Sequence, residues 1–237
     1  MTSLNRQRVL VVGGSSGIGL AVAEQAAQAG ANVTIASRSA AKLEQSATRF
    51  GGNVTTHPLD TADDVGIEDF FAKHEPWDHI VISAAQTASG PIKKLPLNDA
   101  KSAMESKFWG AYRVAKVARI VDRGSLTFIS GYLGERPNAA SVLQGAINAA
   151  LDALARGLAL ELSPTRVNTV SPGLIDTPLW SKMEPQAKDA MFGRAAAMLP
   201  AKTVGHPSDV ANAVLYLMTT PFATGSTVRV DGGGVIA

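Results

Sequence analysis

Val9-Leu10-Val11-Val12-Gly13-Gly14-Ser15-Ser16-Gly17-Ile18-Gly19 is the stretch that decides the fold. Its continuous apolar run reads as a strand buried on both faces, and the glycines end it. Ile18 to Ala29 follows as an alanine-rich helix, closed by Gly30. A strand feeding a glycine-rich turn that opens a helix makes a phosphate cradle. Glycine allows the tight turn and a close backbone approach, and the helix N-terminus offers unpaired N–H groups and partial positive charge.

The alternation continues down the chain. Apolar, β-branched runs predict strands over 32–36, 53–58, 79–82, 125–129, 166–170 and 227–230. Helices are predicted over 40–49, 63–74, 99–120, 141–162 and 208–218, with a short helical segment ahead of the last. This order predicts an α/β fold: a Rossmann-type, doubly wound, seven-stranded parallel sheet with helices on both faces. No linker or repeat divides it, so residues 1–237 read as a single domain.

Composition excludes several classes. With 46% hydrophobic and 18% charged residues among 237, the chain has a core and is not disordered. Its net charge is +2 and no basic run exceeds Lys93-Lys94, which argues against a nucleic-acid binder. The lack of cysteine excludes disulfides, thiolate metal sites and cysteine nucleophiles, and suits a cytoplasmic location. Val9 to Ala23 is uncharged but too short and glycine-rich to span a membrane, and no export signal is expected. His74, Asp78 and His79 gather around Pro76 without metal-ligand spacing, so no metal is predicted.

Gly13-x-Ser15-x-Gly17 also matches the nucleophile elbow of serine hydrolases. That elbow follows earlier strands that supply an oxyanion loop, whereas this one follows the first strand, and it leaves Gly19 unexplained. A hydrolase is therefore a distant alternative to a dinucleotide site. The end of the second strand bears on which dinucleotide. NAD-binding folds place an acid there for the ribose 2′-hydroxyl; here the residues are Ala36-Ser37-Arg38-Ser39. Arg38 offers a permanent planar cation to a 2′-phosphate and Ser37 a hydroxyl, which favours NADP(H) over NAD(H).

From these residues the chain resembles the short-chain dehydrogenase/reductase family over nearly its whole length. The resemblance is carried by Val12 to Gly19, by Leu59-Asp60, and by Arg166-Val167-Asn168-Thr169-Val170-Ser171-Pro172-Gly173 with Leu174-Ile175-Asp176-Thr177-Pro178. Gly205 to Ala211 and Val230-Asp231-Gly232-Gly233 complete it. It implies a cofactor site made of Gly13, Ser15, Ser16, Gly17, Ile18, Gly19, Ser37, Arg38, Asp60, Ala84, Ala85, Pro172, Gly173, Ile175 and Thr177. Within that set it implies adenine contact for Asp60, and the nicotinamide end for Ile175 and Thr177.

The catalytic positions depart from the family, which uses a tyrosine, a lysine one helical turn later, a serine and an asparagine. Counting back from Gly157-Leu158-Ala159-Leu160-Glu161-Leu162, the tyrosine position holds Gln144 and the lysine position Asn148. The serine position holds Gly131, with Ser130 adjacent, and the asparagine position holds Lys107. An amide does not transfer a proton usefully at neutral pH, so Gln144 and Asn148 are equipped to bind and not to protonate. Ser130, Tyr132 and Lys107 form a candidate substitute donor set, since a buried lysine lowers its pKa.

The resemblance further implies an apolar lid from Leu179, Trp180, Met183, Met191, Phe192, Met198 and Leu199 over a small-molecule ligand. The alternative for this segment is a helix packed on its own core or on a neighbouring subunit. Ala146, Ala149, Ala150 and Ala153 allow close helix packing, and a homodimer or homotetramer is expected. Two functions stand close together: an oxidoreductase on an unknown carbonyl or alcohol through a non-standard site, and a non-catalytic NADP(H)-binding sensor or scaffold.

Overall fold

The computed structural model describes residues 3–51 and 54–237. Seven parallel strands lie in the order β3-β2-β1-β4-β5-β6-β7. They are β1 (Arg8–Val12), β2 (Asn32–Ser37), β3 (Val54–Pro58), β4 (Trp77–Ile82), β5 (Ile120–Ile129), β6 (Arg166–Pro172) and β7 (Thr227–Val230). The strand expected from Asn53 begins, within the described residues, at Val54. The order reverses direction at β1/β4, so the loops after these two strands diverge and leave a crevice at their carboxyl ends.

Alternate residues of β1 feed two cores. Val9 and Val11 pack with α1 (Gly17–Gln28), α2 (Ala40–Ala47) and α8 (Pro207–Thr219) through Val22, Ala26, Leu43 and Val214. Leu10 and Val12 pack on the other face, where Phe70 of α3 (Asp64–Lys73), Val114 of α5 (Gly110–Val117) and Leu151 of α6 (Val142–Glu161) meet Trp77, Leu126 and Phe128. A strand covered on both faces has no polar side to alternate with, which is why β1 reads as an unbroken apolar run.

Three expected elements differ. The helix expected to reach Ile120 is α4 (Leu97–Met104), a π-helical stretch Glu105–Trp109 and α5, and it stops at Val117. Ile120 and Val121 instead begin β5, five residues ahead of the strand expected at Ser125. Arg123, at φ 65°, and a register shift between Trp77 and His79 absorb the charged interruption Asp122-Arg123. The short helical segment ahead of α8 is a full helix, α7 (Pro185–Met198), preceded by a 3₁₀ turn at Pro178–Trp180.

Candidate active site

One cleft of about 2290 Å³ runs along the carboxyl ends of the strands. Its floor is the loop between β1 and α1, where close contact explains two glycines. A β-carbon on Gly13, at φ 88°, would stand 2.4 Å from the Ala84 nitrogen, and one on Gly19 would stand 2.2 Å from the Gly13 carbonyl oxygen. Gly19 thus lets α1 seat against the loop, while Gly13, Ser15, Ser16, Gly17 and Ile18 line the cleft. Ser16 precedes α1 without a side-chain cap, leaving the first N–H groups of that helix to the cleft.

At one end stand Ser37, Arg38 and Asp60. The Arg38 guanidinium donates to the Gln86 side-chain oxygen at 2.8 Å, an exposed neutral acceptor. Asp60 accepts from the Ala62 nitrogen at 3.0 Å, and the Ser37 hydroxyl oxygen is buried with no partner among the described residues. Ala84 and Ala85 line the middle, and Pro172, Gly173, Ile175 and Thr177 line the far wall. The glycine cradle, the uncapped helix terminus and the orphaned Ser37 hydroxyl fit a dinucleotide along this cleft. Ser15 bonds no histidine among the described residues, and the His206 nitrogen instead donates to Asp209 at the start of α8.

The central wall holds Lys107, Ser130, Tyr132, Gln144 and Asn148. The π-helical stretch carries Lys107 inward, 8% exposed, while Phe108, Trp109 and Tyr112 cluster beside it. Lys107 Nζ donates to the Ser130 carbonyl at 2.7 Å and to Asn148 Oδ1 at 2.6 Å. Burial is the larger influence on this ammonium and lowers its pKa to about 8, and the Asp152 carboxylate acts in the opposite direction. The structure thus joins Lys107 to Asn148 and to the Ser130 main chain. The Ser130 hydroxyl faces the Val170 carbonyl at 3.4 Å, and Gln144 Nε2 donates to the Thr87 hydroxyl at 2.9 Å. The Tyr132 ring lies against Gly234, where a β-carbon would come within 3.3 Å of it.

Beyond this wall, α7 buries none of its residues, so it does not pack as a core helix. Leu179, Trp180, Met183, Met191, Met198 and Leu199 line the cleft, and Trp180 meets Phe192 edge-on. Trp180 Nε1 donates to the Ile175 carbonyl at 3.0 Å, and Lys188 pairs with Asp176 at 2.7 Å, tying the segment to the end of β6. Sequence reasoning missed Gln86 and Thr87, which anchor Arg38 and Gln144, and Asp152. Only Asp152 carried a signal, four residues beyond Asn148 on the same helix face.

The His74, Asp78 and His79 side chains serve other partners. His74 Nδ1 meets the Phe70 carbonyl, Asp78 accepts from the Arg8 nitrogen, and His79 lies between Ser125 and Gln7.

The family model described as enoyl-(acyl carrier protein) reductase matches residues 12–234. A short-chain dehydrogenase/reductase of Stachybotrys chlorohalonatus is 34% identical, with 100% of both chains covered. The chain belongs to the short-chain dehydrogenase/reductase family. Among other relatives, a D-erythrulose reductase of Gallus gallus is 33% identical, covering 99% of this chain and 98% of its own. A solved small-chain dehydrogenase in complex with NADPH superimposes with a TM-score of 0.87 at 33% identity, covering 98% of this chain and 100% of its own. This short-chain dehydrogenase/reductase is accordingly of an oxidoreductase family with a nicotinamide-cofactor fold. No helix among its described residues is long and apolar enough to cross a membrane.

Proposed function

We propose that this chain is an NADP(H)-linked oxidoreductase that reduces a small apolar carbonyl compound, or oxidises the alcohol, through a donor set of its own. The observation that carries the cofactor choice is Arg38. Among the described residues its guanidinium at the cleft mouth is held only by a neutral amide, beside a Ser37 hydroxyl that has no partner there. A 2′-phosphate offers that cation a stronger, charge-assisted partner. The NADPH complex of a relative supports the same reading. When bound, the cofactor supplies hydride. Around it, Ser15, Ser16 and the α1 terminus hold phosphate, Ile175 and Thr177 face the nicotinamide end, and the α7 segment covers an apolar substrate. Ser130, Tyr132 and Lys107 are the candidate donors, with Gln144 and Asn148 as amide ligands.

One observation favours the second reading, a cofactor-binding protein without turnover: Gln144 is engaged by Thr87 at the position where the family carries its tyrosine. We also read the chain as a homo-oligomer. Trp109, Tyr112 and Val142 are 44%, 42% and 46% exposed, and Ala146, Ala149 and Ala153 are exposed on α6.

Calorimetric titration with NADPH and with NADH, followed by NADPH consumption with benzaldehyde, cyclohexanone and decanal, tests the reading. Selective NADPH binding with turnover supports it, and binding without turnover transfers support to the sensor. Failure to bind either nucleotide would sink both.

A further inference from the structure

Lys107 is bonded in a way that suits both of its protonation states. Its two protein acceptors, the Ser130 carbonyl and Asn148 Oδ1, are neutral oxygens. A neutral amine has two N–H groups and satisfies both; an ammonium has a third, for which the described residues provide no partner. Lys107 borders the cleft, where a ligand oxygen can meet that third position.

Its charge surroundings are equally spare. From α6, Asp152 is 7% exposed, and its Oδ1 is buried with no hydrogen-bond partner among the described residues. It is the one charged group acting on Lys107 among the described residues. Glu105, on the helix of Lys107 itself, is engaged by Arg113 at 2.5 Å. The loop after β5 carries Tyr132, Glu135, which pairs with Arg229, and Arg136, which donates to the Gly234 carbonyl. Asn148 and Asp152 sit one turn apart on α6, so a single helix face both holds the lysine nitrogen and supplies its counter-charge.

We propose that Lys107 is the acid/base group of the cleft, with Asn148 and Asp152 as its positioning residues. The inference rests on the oxidoreductase reading and names the proton carrier within it. In the reductive direction, hydride from a reduced nicotinamide forms the new C–H bond and the carbonyl π pair moves to oxygen. An N–H bond of the Lys107 ammonium breaks as the O–H bond forms, leaving an amine whose two N–H groups keep the Ser130 and Asn148 oxygens. In the oxidative direction the amine lone pair takes the hydroxyl proton. Asp152 offsets part of the desolvation that burial imposes on the ammonium, so the proton is present near neutral pH yet transferable.

The test uses full-length protein labelled with ¹³C and ¹⁵N lysine. The Lys107 side-chain resonance, assigned by its absence in Lys107→Arg, is followed against pH with no substrate present. The expected midpoint lies near 8, and Asp152→Asn moves it down by about one unit. In parallel, kcat for NADPH-dependent reduction of the three carbonyl probes falls as pH rises through the same midpoint, and moves with it in Asp152→Asn. Lys107→Met lowers kcat by about 100-fold or more while still binding NADPH. A Lys107 midpoint in the ordinary lysine range overturns the proposal. So does a Lys107→Met enzyme that keeps kcat within about tenfold, an outcome that leaves the oxidoreductase reading standing. Wild-type protein that binds NADPH and reduces none of the probes overturns both.

Discussion

The Lys107 ammonium and the Asn148 side-chain oxygen lie 2.6 Å apart, 41 residues distant in the chain. The family resemblance implies an asparagine at the position of Lys107 and a lysine at that of Asn148. We read this as an exchange of the two residue types between the walls of the cleft, with the contact between them closed. Replacement at both positions therefore reads as a coupled change. Each residue supplies what the other needs, a donor from one wall and an acceptor from the other.

Coupling of this kind is measurable by stability alone. Asn148→Lys places a second ammonium beside Lys107 in a buried site and is expected to cost roughly 3 kcal/mol. Lys107→Asn withdraws the donor from two buried oxygens and is expected to cost about 1–3 kcal/mol. The double exchange is expected to recover at least about 1 kcal/mol of the summed loss. Urea unfolding of the four proteins at neutral pH checks this; strictly additive losses would show that the two positions are independent.

Gly131 extends the same argument. A β-carbon there would stand 2.6 Å from Asn148 Nδ2. Gly131→Ser, which installs the residue type of the family pattern, therefore pushes Asn148 away from Lys107. The expected result is a loss of about 2 kcal/mol, reduced when Asn148→Ala is added to make room. Thermal unfolding of the single and double variants decides it. A Gly131→Ser protein as stable as the wild type would mean that Asn148 yields without consequence.

At the other end of the cleft, Arg38→Ala is expected to weaken NADPH binding by about tenfold or more and NADH binding hardly at all. The hydrogen bond to Gln86 is with a neutral, exposed partner, so releasing it on ligand binding costs little. Calorimetry with both nucleotides separates the effects. Equal loss for both would assign Arg38 to the cleft wall and not to the 2′-phosphate.

The fold was legible because its signals are local. The apolar run of β1, the glycines that follow it and the segment from Arg166 to Pro178 each declare their structure within a few residues. The end of α5 was not legible: Ala118 to Val121 is as apolar as a helix terminus, and only the pairing of Ile120 with Trp77 makes it strand. The π-helical stretch is a change of hydrogen-bond register without a residue signature, so the inward turn of Lys107 could be raised from sequence and not decided. Its contact with Asn148 joins distant segments and emerges only when the sheet brings α6 beside that stretch. Similarly, α7 has the composition of a helix that covers something, but its lack of buried residues is a fact of the assembled structure.

His79 gives the fold a defined acid sensitivity. It is 4% exposed on β4, with Nδ1 at 2.8 Å from the Ser125 hydroxyl and Nε2 at 3.0 Å from the Gln7 side-chain oxygen. A neutral imidazole satisfies both, accepting from the hydroxyl at Nδ1 and donating to the amide oxygen from Nε2. Burial, with the Arg166 charge adding to it and Asp78 opposing it, lowers the pKa from 6.5 to about 4. The unfolded chain thus binds a proton that the folded chain refuses between these values, and stability falls as pH drops through that window. The contribution present at pH 7 should shrink by ~2 kcal/mol at about pH 5, and by little more below about pH 4. His79→Gln removes the titration while keeping an amide able to reach the same partners. Its stability at pH 7 is lower than that of the wild type, but its loss between pH 7 and 5 is smaller by that ~2 kcal/mol. Urea unfolding of both proteins across this range is the check. Parallel pH profiles would place the acid sensitivity in the carboxylates and leave His79 a purely structural residue.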